Sequence, residues 1–311
     1  MTHINVLDRI VAVKLDVRIW SGRKKLWPED LRLGDGAKLP PAEVASLGSK
    51  RIVDPERING FHRLKKEAWR ACLAVGTRFL GGYAIPEDPF PTLASELDRI
   101  AAEFAQAKAA LLADYANAVD EWAARHPDFA AAIRRAVDPA HEVDAALGFD
   151  YTAFRVAGEA EDAHRSLERK AAGLGETLFA EIAQAADELL QDSFIGKARI
   201  TRRALNPVQK LRDKLDGLAF LDARVQPVVA SIDQAIRSLP KRGALEGDVF
   251  AHLFALVMIL SDPDRIKKHG EGLLSLEAMR PVLPPAAPTA AKSAERPERP
   301  PAAAGPESFW F

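Results

Sequence analysis

Between Leu97 and Trp122 the bulky apolar residues Leu97, Ile100, Phe104, Leu111, Tyr115 and Trp122 fall three, four, seven, four and seven positions apart. A strand turns successive side chains to opposite faces and cannot align residues at that spacing. An α-helix places all six on one stripe. Alanine fills much of the space between them, which favours helix and lets a neighbour pack closely. From Thr92, followed by Ser95 and Glu96, to the break at His126-Pro127, the pattern predicts one helix of about 33 residues, a rod on the order of 50 Å. A second stripe, Leu167, Leu174, Leu178, Ile182, Ala185 and Leu189, belongs to a helix predicted to start at Glu159. Gly173 and Gly175 interrupt it, at about 1 kcal/mol each relative to alanine. The two stripes are expected to meet as a long antiparallel, coiled-coil-like pair. The same stripes also suit two copies of the chain, so a homo-oligomer through the long helices is the alternative use.

The other elements are shorter. Val11, Val13, Leu15, Val17 and Ile19 alternate with Ala12, Lys14, Asp16 and Arg18, the period of a half-buried strand. Phe149 to Val156 reads as a second strand able to pair with it, and GGYAIPED as a short third. SGRKK reads as a turn. Prolines and glycines between 28 and 50 predict an irregular arm, spanning 20–52 with its flanks. Asp54-Pro55 caps a helix running to about Leu80 and stopping at Gly81-Gly82. Short helices are expected at Asp128–Val137 and Glu142–Leu147. Asn206-Pro207 caps one to Asp216. Leu218–Leu239 follows with a kink at Pro227, then Val249–Leu260, and a last helix begins at Asp262-Pro263. After Met279 the composition turns to proline and alanine. The expected architecture is mainly α with a small β element: an elongated helical bundle over 1–280, with a small sheet from the N-terminal and mid-chain strands. A disordered tail at 281–311 ends in Phe309, Trp310 and Phe311.

Charge and chemistry narrow the function. The chain of 311 residues carries 43 basic and 44 acidic residues, a net charge of -1, so as a whole it is not a polyanion binder. Its single cysteine, Cys72, sits on an apolar helix face and excludes an internal disulfide or a cysteine zinc site. MTHINVLDRIVAVKLDVRIW is not a secretion signal. Val249–Leu260 is too short to cross a bilayer, which takes about 20 residues. The expected location is the cytoplasm, with no membrane partner. There is no P-loop, no GxSxG and no GxGxxG between a strand and a helix, so no cofactor is expected. Glu161 and His164, three apart near a helix start, are weak metal ligands, because di-iron bundles need that pair twice with two further glutamates. Asp248 and His252, four apart on an apolar helix, are a candidate buried carboxylate–histidine pair. Seven basic residues, Lys197, Arg199, Arg202, Arg203, Lys210, Arg212 and Lys214, form a candidate nucleic-acid face against one acid, Asp213. Smaller sets are Arg63, Lys65, Lys66 and Arg70, and Arg23, Lys24 and Lys25 beside Trp20 and Trp27, the last suited to single-strand stacking.

VAVKLDVRIWSGRKKLWPEDL and GSKRIVDPERINGFHRLKKEAWRACLAVGTRFLGGYAIPED, with the later FDYTAFRV, resemble a bacterial family known only as a domain of unknown function, number 3150. The likeness covers roughly residues 8–260 and excludes the tail. It brings no catalytic residues. It implies a setting in phages and mobile elements, beside a MoxR or CobS-type AAA+ ATPase and a CobT-like von Willebrand A protein. The leading expectation is a non-catalytic adaptor or scaffold for such an ATPase, with Phe309, Trp310 and Phe311 as docking residues. The alternative is a DNA-binding accessory of recombination or replication. A metal-dependent enzyme comes second among the alternatives.

Overall fold

The computed structural model describes residues 4–31, 45–157, 161–240 and 242–280. A short helix, α1 (Ile4–Leu7), leads into β1 (Ile10–Arg18). The β-branched alternation of β1 makes it the strand about which an antiparallel sheet forms. Its partners are β5 (Gly82–Pro86) on one edge and β6 (Gly148–Phe154) on the other, with β4 (Thr77–Phe79) outside β5. The mid-chain strand pairs with the first as expected, from Ala12 opposite Phe154 to Arg18 opposite Gly148. A separate ribbon joins β2 (Arg23–Lys25) to β3 (Ser49–Arg51).

Two helices cover the sheet. In α2 (Glu56–Val75), residues Ile58, Phe61, Leu64, Ala68 and Cys72 turn inward. In α3 (Phe90–Ala113), Leu93, Leu97, Ile100, Phe104 and Leu111 do so. Phe61 meets Phe104 edge-on at 4.9 Å between ring centres, and both are almost fully buried. Each such ring contributes roughly 1.5–3 kcal/mol by leaving water. The core continues through α4 (Tyr115–Arg125), α5 (Ala130–Arg134) and α6 (Ala140–Ala146).

A second core forms around α8 (Leu174–Ser193), entered through α7 (Glu161–Ala172) and closed by α9 (Leu205–Gly217), α10 (Val225–Arg237), α11 (Gly247–Leu260) and α12 (Pro263–Gly270). A two-residue ladder of β7 (Arg199–Ile200) with β8 (Leu245–Glu246) ties its loops. The apolar α11 lies inside this core, and Asp262 caps α12 by accepting the Asp264 and Arg265 N–H groups at 2.9 Å. Among the described residues no helix is long and apolar enough to cross a membrane. The two cores meet where Phe79 and Ala84 of the sheet pack with Leu167, Ala171 and Leu174.

Several expectations change. The single rod is two helices broken at Asp114, and the second stripe is broken at Gly173. The stripes of α3 and α8 lie in different cores: α3 packs on α2, and α8 packs on α11. Each stripe therefore finds its partner nearby, and the expected coiled-coil pair of α3 with α8 is replaced by these two. α2 stops at Gly76, ahead of Gly81, where the chain turns extended into β4, and only glycine fits there because a Cβ would sit 2.6 Å from the Ala84 carbonyl oxygen. SGRKK is not the expected turn: Arg23–Lys25 form strand β2, and Ser21 and Gly22 lead into it. Pro227 lies in the first turn of α10, where it needs no kink. Residues 32–44 of the predicted arm and the tail at 281–311, with Phe309, Trp310 and Phe311, lie outside the described residues.

Candidate functional site

Where the two cores meet, α2, β4, α8 and α9 enclose a cleft of about 570 Å³. That is within the range of ordinary ligand and peptide pockets. Leu73, Ala74, Ile182, Ala185 and Leu211 form its apolar floor. Arg70, Arg78 and Lys210 stand on the rim with Glu188 and Asp213. The apolar residues sit there because each of these helices turns its stripe inward but leaves the edge of the stripe uncovered at the junction.

Beneath the rim lies an ion pair. Lys214 Nζ donates to Glu181 Oε2 at 2.8 Å, and each side chain is only 9% exposed. The other oxygen, Oε1, accepts the Arg78 backbone N–H at 3.0 Å. One carboxylate on α8 thereby binds the sheet of the first core and a helix of the second. Burial lowers the Lys214 pKa, while the Glu181 charge opposes that shift. Such a pair costs desolvation to form, and more to break, than a surface pair.

The cleft brings together residues that the sequence grouped separately. Arg70 comes from the α2 set, and Lys210 and Lys214 from the long basic run. The rest of that run does not form one face. Lys197 donates to the Asp192 carbonyl at the end of α8. Arg212 grips Asp233 through two nitrogens at 2.9 and 3.1 Å and also meets Asp213 and Asp216. Arg199, Arg202 and Arg203 remain exposed, without a carboxylate among the described residues. On α2, Arg63 pairs with Glu67, and Lys65 lies over the exposed Trp69 ring at 5.1 Å.

Other candidates resolve differently. Asp248 is exposed and His252 half-buried, with no bond between their side chains, so the expected buried pair does not form: Asp248 falls at the open N-terminus of α11. Cys72 is fully buried, and burial pushes its thiol up to about 12, which suits packing rather than reactivity. Glu161 and His164 lie on α7, and their side chains are outside the described residues. No group of three or more His, Cys, Asp or Glu side chains among the described residues is placed to hold a metal.

Two acids went unnoticed in the sequence. Asp138 accepts the Trp20 indole N–H at 2.9 Å and pairs with Lys24. Asp30 pairs with Lys50 and, at 3.2 Å, with Arg135. Burial alone would raise the Asp30 carboxyl, but the bonds from Lys50, the Trp27 N–H and Arg135 outweigh it and hold it low. Asp138 has no local spacing that signals it, because Trp20 lies 118 positions away, and Asp30 has only its bond from the Trp27 N–H nearby while Lys50 and Arg135 are distant.

Taken together, these elements define a two-core protein of helices on an antiparallel sheet, much of whose charge is paired internally, with an amphipathic cleft at the junction. The chain belongs to the family described as Protein of unknown function (DUF3150), whose model matches residues 7–262. No curated protein and no solved structure matches it at a significant level.

Proposed function

We propose that the chain is a non-catalytic adaptor that binds a protein partner through the cleft between its cores. The observation carrying this reading is the composition of the cleft: an apolar floor under a rim of mixed sign. An amphipathic helix or peptide satisfies both at once, whereas a polyphosphate backbone leaves the floor unused and meets Glu188 and Asp213. Two of the seven cations of the long basic run, Arg212 and Lys214, are neutralised within the chain, so that run is not available whole as a DNA face. The partner class, a MoxR or CobS-type AAA+ ATPase with its von Willebrand A companion, rests on the setting implied by the family resemblance. Phe309, Trp310 and Phe311 supply a second, tethered contact in this reading.

The test uses two exposed floor positions, Ala74 and Ala185. Ala185→Arg or Ala74→Arg fills the cleft without removing a core group. Either variant is expected to melt like the parent and to lose at least about tenfold in affinity for the neighbouring ATPase in a purified binding assay. Truncation at residue 280 is expected to weaken binding further. Undiminished binding by both cleft variants sinks the reading.

A further inference from the structure

The ribbon β2–β3 has two faces of different character. Lys24 lies directly opposite Lys50, and each is held by an acid, Asp138 for Lys24 and Asp30 for Lys50. On the other face Arg23 lies directly opposite Arg51. Directly opposed residues of an antiparallel pair project side by side, and like charges there repel. Both arginines are exposed, and among the described residues neither side chain meets a carboxylate. Among the described residues the lysine pair is compensated and the arginine pair is not, which is the arrangement of a cationic site that takes an anion.

The surroundings indicate which anion. Three grooves adjoin at the ribbon. One, of about 520 Å³, runs past Phe129 and Trp122. It shares Arg23 and Arg51 with a second, of about 390 Å³, that runs past Asn59 and His62. It shares Lys50 with a third, of about 420 Å³, that passes Trp27. Two rings along this path are exposed, Trp27 at 53% and Phe129 at 48%. Lys25 lies over Trp27 at 4.4 Å. Trp122 instead holds the ribbon in place, since its indole N–H donates to the Arg51 carbonyl at 3.2 Å and fixes β3 against α4. Trp20, by contrast, is buried and bound to Asp138, so it takes no part.

We propose that this furrow binds single-stranded nucleic acid. Arg23 and Arg51 together grip a backbone phosphate, Phe129 in the same groove stacks a base beside it, and Trp27 in the adjoining groove takes a further base. A compact anion would use the arginines but neither ring. An acidic peptide would leave the rings without flat partners. A duplex hides its base faces from them. The path contains Arg23, Lys24, Lys25, Lys50, Arg51 and Arg135 against Glu29, Asp30 and Asp138, so it is locally cationic on a chain that is near neutral overall. The furrow shares no lining residue with the cleft and stands independently of the adaptor reading.

Fluorescence anisotropy of a labelled oligo-dT of about 20 nucleotides, titrated with the full chain from about 50 to about 200 mM salt, tests this. Affinity is expected to fall with salt. Arg23→Ala with Arg51→Ala is expected to weaken binding about tenfold or more and to flatten the salt slope by about one unit. Phe129→Ala is expected to weaken it about fivefold or more while leaving most of the slope. All three positions are exposed, so melting is expected to stay unchanged and to separate lost binding from lost folding. The proposal is overturned if the arginine double variant binds like the parent, or if the parent shows no salt-dependent binding. It is equally overturned if duplex DNA, polyglutamate or thymidine monophosphate competes as well as the oligonucleotide, or if Arg202→Ala with Arg203→Ala carries the loss instead.

Discussion

Cys72 is the chain's only thiol, and α2 turns it wholly into the first core. Burial pushes it up to about 12 from an ordinary 9.0. Burial, with the Asp138 charge behind it, also raises Tyr115 to about 12. In the unfolded chain both groups ionise earlier, so as pH rises the unfolded state loses its protons first. Their contribution to stability is therefore complete below about pH 9 and is lost as pH climbs toward 12. Lys214 works in the opposite sense, because its folded pKa is lowered and the cost of burying its charge fades as the pH passes that value. Comparing variants therefore isolates the thiol better than the parent's curve does. Cys72→Ala is expected to cost about 1 kcal/mol at neutral pH through the smaller side chain. Above pH 9 its stability should fall less steeply than the parent's. Urea denaturation at a series of pH values checks this, and parallel curves up to pH 11 would refute it.

The turn between β4 and β5 shows what a local pattern conveys and what it hides. GGYAIPED reads as a strand, and it is one. Thr77–Phe79 does not read as one, because Phe79 follows Val75 at helical spacing. The strand exists only because Thr77 to Phe79 pair with Gly82 to Ala84, which no local period reports. The same division holds elsewhere. The alternation of β1, the Asp-Pro caps and the helical stripes were legible because each is written within a few turns. Which stripe met which was not, since α3 found α2 and α8 found α11 through the whole fold. The cleft was half legible: Arg70, Lys210 and Lys214 stood out in charge runs, but Glu181, which holds Lys214, lies in an ordinary helical stretch. In the turn itself Leu80 and Gly81 both take positive φ, at 50° and 78°, as a two-residue type I′ connection requires. Glycine adopts that conformation freely, whereas leucine pays roughly 1 kcal/mol and here remains 44% exposed. Leu80→Asn is therefore expected to stabilise the chain by about 0.5–1 kcal/mol, a rise of a few degrees in melting temperature. A lower melting temperature would show that Leu80 is held by contacts beyond the turn.

At the scale of the molecule the question is how two hydrophobic cores behave as one. The sheet and α7–α8 share a small apolar contact around Phe79, Ala84 and Leu174, and Glu181 reinforces it by accepting from Arg78 on one side and Lys214 on the other. Glu181→Gln keeps the shape but leaves the Lys214 ammonium without its counter-charge, a loss of about 3 kcal/mol in a site this buried. That loss falls on the junction rather than on either core. Four of the five tryptophans, Trp20, Trp27, Trp69 and Trp122, lie in the first half of the chain, so their fluorescence reports the first core, whereas helical circular dichroism reports both. In the parent the two signals are expected to change together with denaturant. In Glu181→Gln they are expected to separate, since the cores then unfold with less reference to each other. Replacing both partners, Glu181→Leu with Lys214→Met, is expected to recover much of the midpoint, because no charge is then stranded. Coincident curves in Glu181→Gln would mean that the apolar contact alone couples the cores and that the ion pair serves the cleft.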